Sequence, residues 1–352
     1  MQEKSRNKIL IISENSPHLD NFIKLIVDDK FDIKVITSSG KYLSEDIKSD
    51  FTNFSFLKLK NYFQTISLIK SNIRNFKPDL IYIHQASSVA FFSHLANRKF
   101  KIKTILTAWG SDVLVMPKRN LLFKKISQFV LRSSDVLTSD SVFMAEEMKR
   151  LILPLKKEIY IYNFGVEIKD LEIKKEKFIY SNRNHNPIYR IDKVIHAFQK
   201  FAQKEVNSDW KLLIAGQGSE TDTLKKMVED FKLQDKVSFV GFVNQDENFR
   251  NYAKSSYFVS IPESDATAIS LLEAMYFKCI PILIDLPANR EWVSDGENGF
   301  IIEDVTSDFF EKVLSNSKIM DVEKSRELII KKASKEVCSN NFKSLILKTI
   351  SQ

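Results

Sequence analysis

Short runs of Ile, Val, Leu and aromatic residues alternate with stretches of helical period along most of the 352 residues. This alternation constrains the fold more than any other feature of the chain. Strands are expected at Ile9–Ser13, Phe31–Thr37, Leu80–His84, Thr104–Thr107, Val136–Ser139 and Ile159–Tyr162. Helical patterns fall at Phe22–Asp28, Tyr62–Asn75, Ser88–Asn97, Leu121–Arg132 and Val142–Leu151. The second half repeats the scheme, with strands at Phe178–Ser181, Lys211–Ala215, Val237–Val240, Tyr257–Ile261, Ile280–Ile284 and Gly299–Ile302. Its helices are expected at Ile191–Lys204, Glu220–Phe231, Ala268–Phe277 and Asp308–Asn316. Elements of these lengths in this order predict an α/β fold, each half a parallel sheet covered by helices on both faces.

The length favours two domains. We expect an N-terminal domain over 1–165, a charged linker over 166–177 (VEIKDLEIKKEK from Val166), a second domain over 178–330 and a C-terminal segment over 331–352. Helix Asn341–Ile350 is expected to pack back on the first domain. Two doubly wound domains facing a central cleft would bind ligands at the carboxyl ends of their strands.

Composition narrows the function classes. Two cysteines, Cys279 and Cys338, exclude a disulfide scaffold and a cysteine metal site. The polar start and the four apolar residues Ile9–Ile12 are too short for a signal peptide or membrane span, which points to a cytoplasmic protein. Residues 1–165 hold 26 Lys and Arg against 16 Asp and Glu, whereas the rest hold 27 against 29. The first half therefore suits something anionic. No helix-turn-helix, zinc finger or aromatic RNA-binding motif is present, so nucleic acid is not expected. An anionic membrane surface or phosphorylated lipid is the other candidate, beside an ordinary lysine-rich solvated surface. Pro117–Arg132 sharpens the question, since it places five cations beside Leu121, Leu122, Phe123, Ile126, Phe129 and Val130 at helical spacing. Those apolar residues belong either to the domain core or to a face lying on a membrane.

The chemistry concentrates in SIPESDATAISLLEA, Ser260–Ala274. A strand ends, a polar loop follows and a helix begins near Ala268, so backbone amides at its start can hold an anion. Asp265 lies in the loop and Glu273 along the helix. From there the two carboxylates can bind hydroxyls at two points of one extended ligand, with its phosphate between them. The plainer alternative is that Asp265 caps the helix. Glu273 is the harder to explain structurally, because its neighbours Leu271, Leu272, Ala274 and Met275 make an apolar setting for a carboxylate.

This segment, with CIPILI and NREWVSDGENGFII after it, resembles the nucleotide-sugar signature of family 4 glycosyltransferases, retaining enzymes of the GT-B fold. The resemblance covers nearly all of the chain. It implies that Asp265, where the family more often has Glu, contacts the donor sugar. It implies that Glu273 binds the ribose hydroxyls and that the amides of Ala268, Ile269 and Ser270 approach the diphosphate. Gly216-Gln217-Gly218 is similar to the family's loop beside the nucleotide, and Val240-Gly241-Phe242-Val243 to the segment whose backbone reads the base. Ser181-Asn182-Arg183 and Tyr189-Arg190-Ile191-Asp192 resemble the family's Gly-Arg and Lys-Gly pair. Arg183 keeps the arginine, while Tyr189 and Arg190 stand at the lysine and glycine positions. Arg183, with Arg190 or Lys193 in place of the lysine, is expected to stabilise the diphosphate leaving group.

In the first domain Ser16-Pro17-His18 occupies the place of a Gly-rich loop, and His18 is placed to orient the acceptor or touch the diphosphate. Thr107-Ala108-Trp109-Gly110-Ser111-Asp112 resembles a His-Gly-Ser-Asp stretch with Trp109 in place of histidine, and Asp112 keeps its polar role. His84 is a third candidate beside a purely structural reading. Asn163-Phe164-Gly165-Val166-Glu167 resembles the family's hinge.

The expected activity is transfer of a sugar, with retention, from a nucleoside diphosphate sugar to a glycan or lipid-pyrophosphate acceptor in cell-surface polysaccharide synthesis. No cofactor or metal is expected, and the protein is expected at the inner face of the membrane. The alternatives are a nucleotide-sugar-binding protein without transferase activity and a sugar-nucleotide 2-epimerase. Seven of the eight glycines, all but Gly40, fall at strand ends or turns of these motifs.

Overall fold

The computed structural model describes residues 6–56, 59–315 and 320–352. The chain forms two compact units, Met1–Phe164 with Glu336–Gln352, and Gly165–Lys335.

The first unit is built on strands β1 (Asn7–Ile12), β2 (Phe31–Thr37), β3 (Lys48–Phe51), β4 (Leu80–His84), β5 (Thr104–Thr107), β6 (Val136–Ser139) and β7 (Ile159–Ile161). They form one parallel sheet in the order β3-β2-β1-β4-β5-β6-β7. The central strands are apolar throughout because helices cover both faces, and Ile9 to Ile12 and Leu80 to Ile83 are fully buried. Helix Pro17–Ile26 packs Phe22 against Tyr82 and against Phe342 of helix Lys335–Ile350. The C-terminal helix thus begins six residues before the expected Asn341.

The second unit carries β8 (Glu176–Asn182), β9 (Lys211–Ala215), β10 (Val237–Gly241), β11 (Ser255–Ser260), β12 (Ile280–Ile284) and β13 (Phe300–Ile302). Their order is β10-β9-β8-β11-β12-β13, again all parallel. The two-residue period of the strands divides the core between the faces. Ile179, Leu212 and Ile214 join Val194, Phe198 and Phe310 on one side. Tyr180, Leu213 and Ala215 join Phe249, Leu272 and Met275 on the other.

Both sheets reverse their order once, between β1 and β4 and between β8 and β11. At such a point the loops leaving two adjacent strands diverge to opposite faces and leave a crevice at the carboxyl ends. This confirms the doubly wound α/β expectation for each half.

Several expectations need correction. The linker 166–177 is not a free tether. The Val166 amide donates to Ala333, Lys335 donates back to Val166, and Lys175 Nζ donates to the carbonyls of Tyr252, Ser255 and Phe277. Strand β3 was not expected from Lys48-Ser49-Asp50-Phe51, whose charge suits a sheet edge rather than a core. Helix Gln245–Lys254 was not expected either, because its sequence is mostly polar, although Asn244 and Glu247 form a capping box at its start. Helix Val322–Ala333 was also missed. The helix expected at Asp308–Asn316 spans Phe309–Leu314, and Asn316 lies outside the described residues.

Candidate active site

The second unit gathers the expected residues at its β8/β11 crevice. Arg183 follows β8, Asp265 follows β11, and Ser270 is in the first turn of helix Ile269–Tyr276. Arg183 Nη2 donates to Asp265 Oδ2 at 2.5 Å and Nη1 to Ser270 Oγ at 3.0 Å. The guanidinium carbon lies 4.4 Å from the centroid of the Tyr189 ring. The two loops are also tied through the main chain, since the Glu263 amide donates to the Ile188 carbonyl at 2.8 Å.

The glycines of Gly216-Gln217-Gly218 hold this arrangement from below. A Cβ on Gly216 would stand 2.5 Å from the Arg183 carbonyl oxygen, and one on Gly218 would stand 2.4 Å from that of His185. Their immediate task is therefore to let the Arg183–Asn186 loop lie against the loop after β9. Gly241 differs: its backbone is left-handed at φ +68°, but a Cβ there would meet only the Gln217 side-chain amide at an ordinary 3.6 Å. Its carbonyl accepts from Gly216, and Phe242 beside it is 79% exposed.

Asp265 does not cap the helix. Its Oδ1 accepts from Ala266, and the N-cap is Ala268, which has no side chain for the task. The first amides of the helix have no intrahelical partner and so remain donors.

Glu273, one turn further along, is held by residues that sequence reasoning missed. Asn248 Nδ2 donates to its Oε2 at 3.1 Å, and the Asn248 oxygen accepts from Tyr180 OH at 2.7 Å and Asn182 Nδ2 at 2.9 Å. Asn248 thus has its amide orientation fixed by two donors, which aims its NH₂ at the carboxylate. Burial pushes the Glu273 carboxyl up to about 7, against the opposing hydrogen bonds from Tyr252 and Asn248. The capping box at Asn244 was the signal that would have found the helix bearing Asn248.

Arg190 sits at the end of the turn Pro187–Tyr189 in a left-handed conformation, φ +53°, where a glycine would be unstrained. Its Nε is 3.4 Å from Glu263 in the loop after β11. Lys193 pairs with Asp192 at 3.7 Å on the surface. Neither is joined to the Arg183 cluster.

In the first unit, His18 is exposed after β1, with its ring 5.3 Å from that of Trp109. His84, at the end of β4, is fully buried among Phe22, Tyr82 and Trp109, and burial pushes it down to about 3. It is a neutral core histidine. Asp112 is a buried hydrogen-bond acceptor. Its Oδ2 accepts from Ala86 N at 2.6 Å and Oδ1 from Trp109 N at 3.0 Å. The carboxylate braces the loops after β4 and β5, with its oxygens committed to backbone amides.

Each unit is doubly wound, and the second places an arginine and two carboxylates at its switch point. The chain belongs to the glycosyltransferases: residues 165–336 match the family described as Glycosyl transferases group 1, and residues 8–141 match Glycosyl transferase 4-like. It is 28% identical over 64% of its length to N-acetyl-alpha-D-glucosaminyl L-malate synthase of Bacillus anthracis, and spans 61% of that relative. A Campylobacter jejuni N-acetylgalactosamine-N,N'-diacetylbacillosaminyl-diphospho-undecaprenol 4-alpha-N-acetylgalactosaminyltransferase is 22% identical over 79% of this chain and 77% of its own. Among solved structures, Anabaena HepE in complex with UDP shares the fold, with a TM-score of 0.78 at 13% identity, covering 98% of this chain and 99% of that one.

Proposed function

We propose that the protein transfers a glycosyl group, with retention, from a nucleoside diphosphate sugar to a glycan or lipid-pyrophosphate acceptor in surface polysaccharide synthesis. The observation that carries this reading is the meeting of Arg183, Ser270 and Asp265 at the uncapped start of helix Ile269–Tyr276. A guanidinium, a hydroxyl and a set of outward amides converge where a diphosphate would bring two negative charges. Asp265 and Glu273 then have separate tasks on either side of it, on the sugar and ribose hydroxyls respectively. Likeness to a transferase whose acceptor is a diphospho-undecaprenol supports the lipid-linked acceptor.

In the reaction the bond from the anomeric carbon to the phosphate oxygen breaks and the acceptor oxygen bonds to that carbon. The hydroxyl proton passes to the departing phosphate on the same face. Arg183 and the helix amides stabilise the growing negative charge, so no metal is needed, and activity should survive a chelator. The first unit takes the acceptor, with His18 and Trp109 beside each other at the end of its sheet.

The first unit also suits the cytoplasmic face of a membrane. Its basic segment is two helices, Met116–Arg119 and Leu121–Ser133, divided at Asn120. Val130 is core, whereas Leu121 and Leu122 are 77% and 67% exposed beside exposed Lys118, Arg119, Lys124 and Lys125. Among the described residues no helix is long and apolar enough to cross a membrane. Vesicles carrying anionic lipid should bind the protein at low salt and release it at high salt. No binding at low salt would overturn this part.

The transferase reading is tested by release of nucleoside diphosphate from a panel of donor sugars, with and without polyprenyl-diphosphate glycans. Acceptor-dependent release is expected. A protein that binds donors without turning any over would be a binding protein instead.

A further inference from the structure

We propose that Tyr189 is a positioning residue: its ring is the pivot on which Arg183 exchanges Asp265 for the diphosphate of the donor. The inference rests on the nucleoside diphosphate reading and deepens it.

Three constraints act on Arg183. Its main chain is trapped by the close approach of Gly216, so the side chain must start from a fixed point. Its guanidinium carbon lies over the Tyr189 ring, 4.4 Å from the centroid. Both terminal nitrogens are occupied, one by Asp265 and the other by Ser270, while the buried Nε has no hydrogen-bond partner among the described residues. The side chain of Arg183 is only 10% exposed. An arginine so placed touches the first turn of the helix through Ser270, yet its charge is already matched by a carboxylate.

While Asp265 holds Arg183 at 2.5 Å, the guanidinium charge is matched and Asp265 Oδ2 is taken, so a diphosphate and a sugar hydroxyl each meet an occupied partner. Opening the pair frees the Nη2 edge for the diphosphate and Oδ2 for the sugar. A free arginine released from its partner has many rotamers to lose on binding. The Tyr189 face removes that cost, because a guanidinium can slide or turn in its own plane while the cation–π contact persists. The edge of the guanidinium then changes partner, the plane does not, and Asp265 is freed for the sugar. Tyr189 is itself held for the purpose. It ends the turn Pro187–Tyr189, whose middle residue Ile188 is bonded to Glu263 in the Asp265 loop. The left-handed Arg190 then turns the chain into its helix.

The pivot makes opposed predictions for two substitutions. The probes are UDP, GDP and ADP titrated calorimetrically, followed by kinetics with the matching sugar donor. Tyr189→Phe keeps the ring and should bind the preferred nucleoside diphosphate as the wild type does. Tyr189→Leu should weaken it about five- to tenfold, raising KM for the donor more than it lowers kcat. Asp265→Asn removes the competing charge. It should tighten the free nucleoside diphosphate several-fold, while turnover of the sugar donor falls. The Arg183 side-chain Nε–H proton should lie upfield in the unliganded protein and in Tyr189→Phe, from the ring current, and return downfield in Tyr189→Leu. That signal reads the geometry without any activity.

Equal binding by Tyr189→Leu and wild type, equal losses in the Phe and Leu variants, or weaker nucleoside diphosphate binding in Asp265→Asn would each overturn the pivot. If the wild type binds none of the three nucleotides, the donor reading falls and the pivot with it. A wild type that binds, with Leu and Phe variants alike, removes the pivot alone.

Discussion

The two units repeat one strand order and differ at the same point of it. In the first unit the helices that follow the switch-point strands β1 and β4 are capped by Ser16 and Ser87. In the second, the helices that follow the switch-point strands β8 and β11, beginning after Arg190 and Ala268, have no side-chain cap. A capped helix start has spent its donors on the protein, whereas an uncapped one keeps them for a ligand. The crevices differ in charge as well. His84, Trp109 and Phe164 surround the end of β4 in the first unit, with His84 neutral. Arg183, Asp265 and Glu273 occupy the second. Topology sets where a ligand can lie, and the side chains at that place decide which unit can hold a diphosphate.

The sharpest way to break this contrast is to remove the charge. Arg183→Met should lower kcat by about 10²- to 10³-fold, the usual loss when one preorganised group at a developing charge is removed. Steady-state release of nucleoside diphosphate measures it. A loss under tenfold would mean that the helix amides alone suffice.

Giving helix Ile269–Tyr276 the kind of cap that the switch-point helices of the first unit have should come next. Ala268→Asp should raise stability by about 1 kcal/mol in denaturant unfolding, as an N-cap does. The same carboxylate would face the diphosphate and weaken its binding by about tenfold or more. The mirror experiment, Ser16→Ala, should cost about 1 kcal/mol and leave nucleoside diphosphate affinity unchanged. If both variants changed affinity alike, the distinction between the units would be lost.

Glu273 gives the contrast a pH dependence. The folded chain holds its proton up to about 7, while an unfolded glutamate releases it near 4.5. Between these values the folded state binds more protons, so stability falls as pH rises through the window. Ribose hydroxyls donate best to the ionised carboxylate, so donor affinity should rise through about 7. Glu273→Gln should flatten both profiles. A donor affinity independent of pH in the wild type would remove Glu273 from the ribose.

The smallest expected effect is at Arg190. Replacing it with glycine relieves a left-handed residue and should raise stability by about 0.5 kcal/mol in the same unfolding assay. A loss of stability would show that its contact with Glu263 outweighs the strain.

Much of the fold was legible because buried parallel strands need apolar residues on both faces. Phe31–Thr37, Leu80–His84, Lys211–Ala215 and Ile280–Ile284 were placed to the residue from that signal alone. The missed elements, Lys48–Phe51 and Gln245–Lys254, are the polar ones, where packing leaves little trace in the sequence. In the site, Arg183 and Asp265 were visible as residue types after strands, and Ser270 only as an amide at a helix start. Their mutual contacts were not, because a 2.5 Å ion pair across 82 residues depends on how two loops meet. Asp112 shows the converse. A carboxylate after a strand looks chemical, yet its oxygens here are taken by the Ala86 and Trp109 amides. Asn248 was hidden for the same reason as its helix, and only its hydrogen bonds reveal that it orients Glu273.

The central claim is that the second unit activates a nucleoside diphosphate sugar for transfer. Release of nucleoside diphosphate should be followed with the preferred donor in the presence and absence of a lipid-pyrophosphate glycan, for the wild type and for Glu273→Ala. Release in the wild type should depend on acceptor and exceed the variant by at least about a hundredfold. Equal, acceptor-independent rates in the two proteins would contradict it.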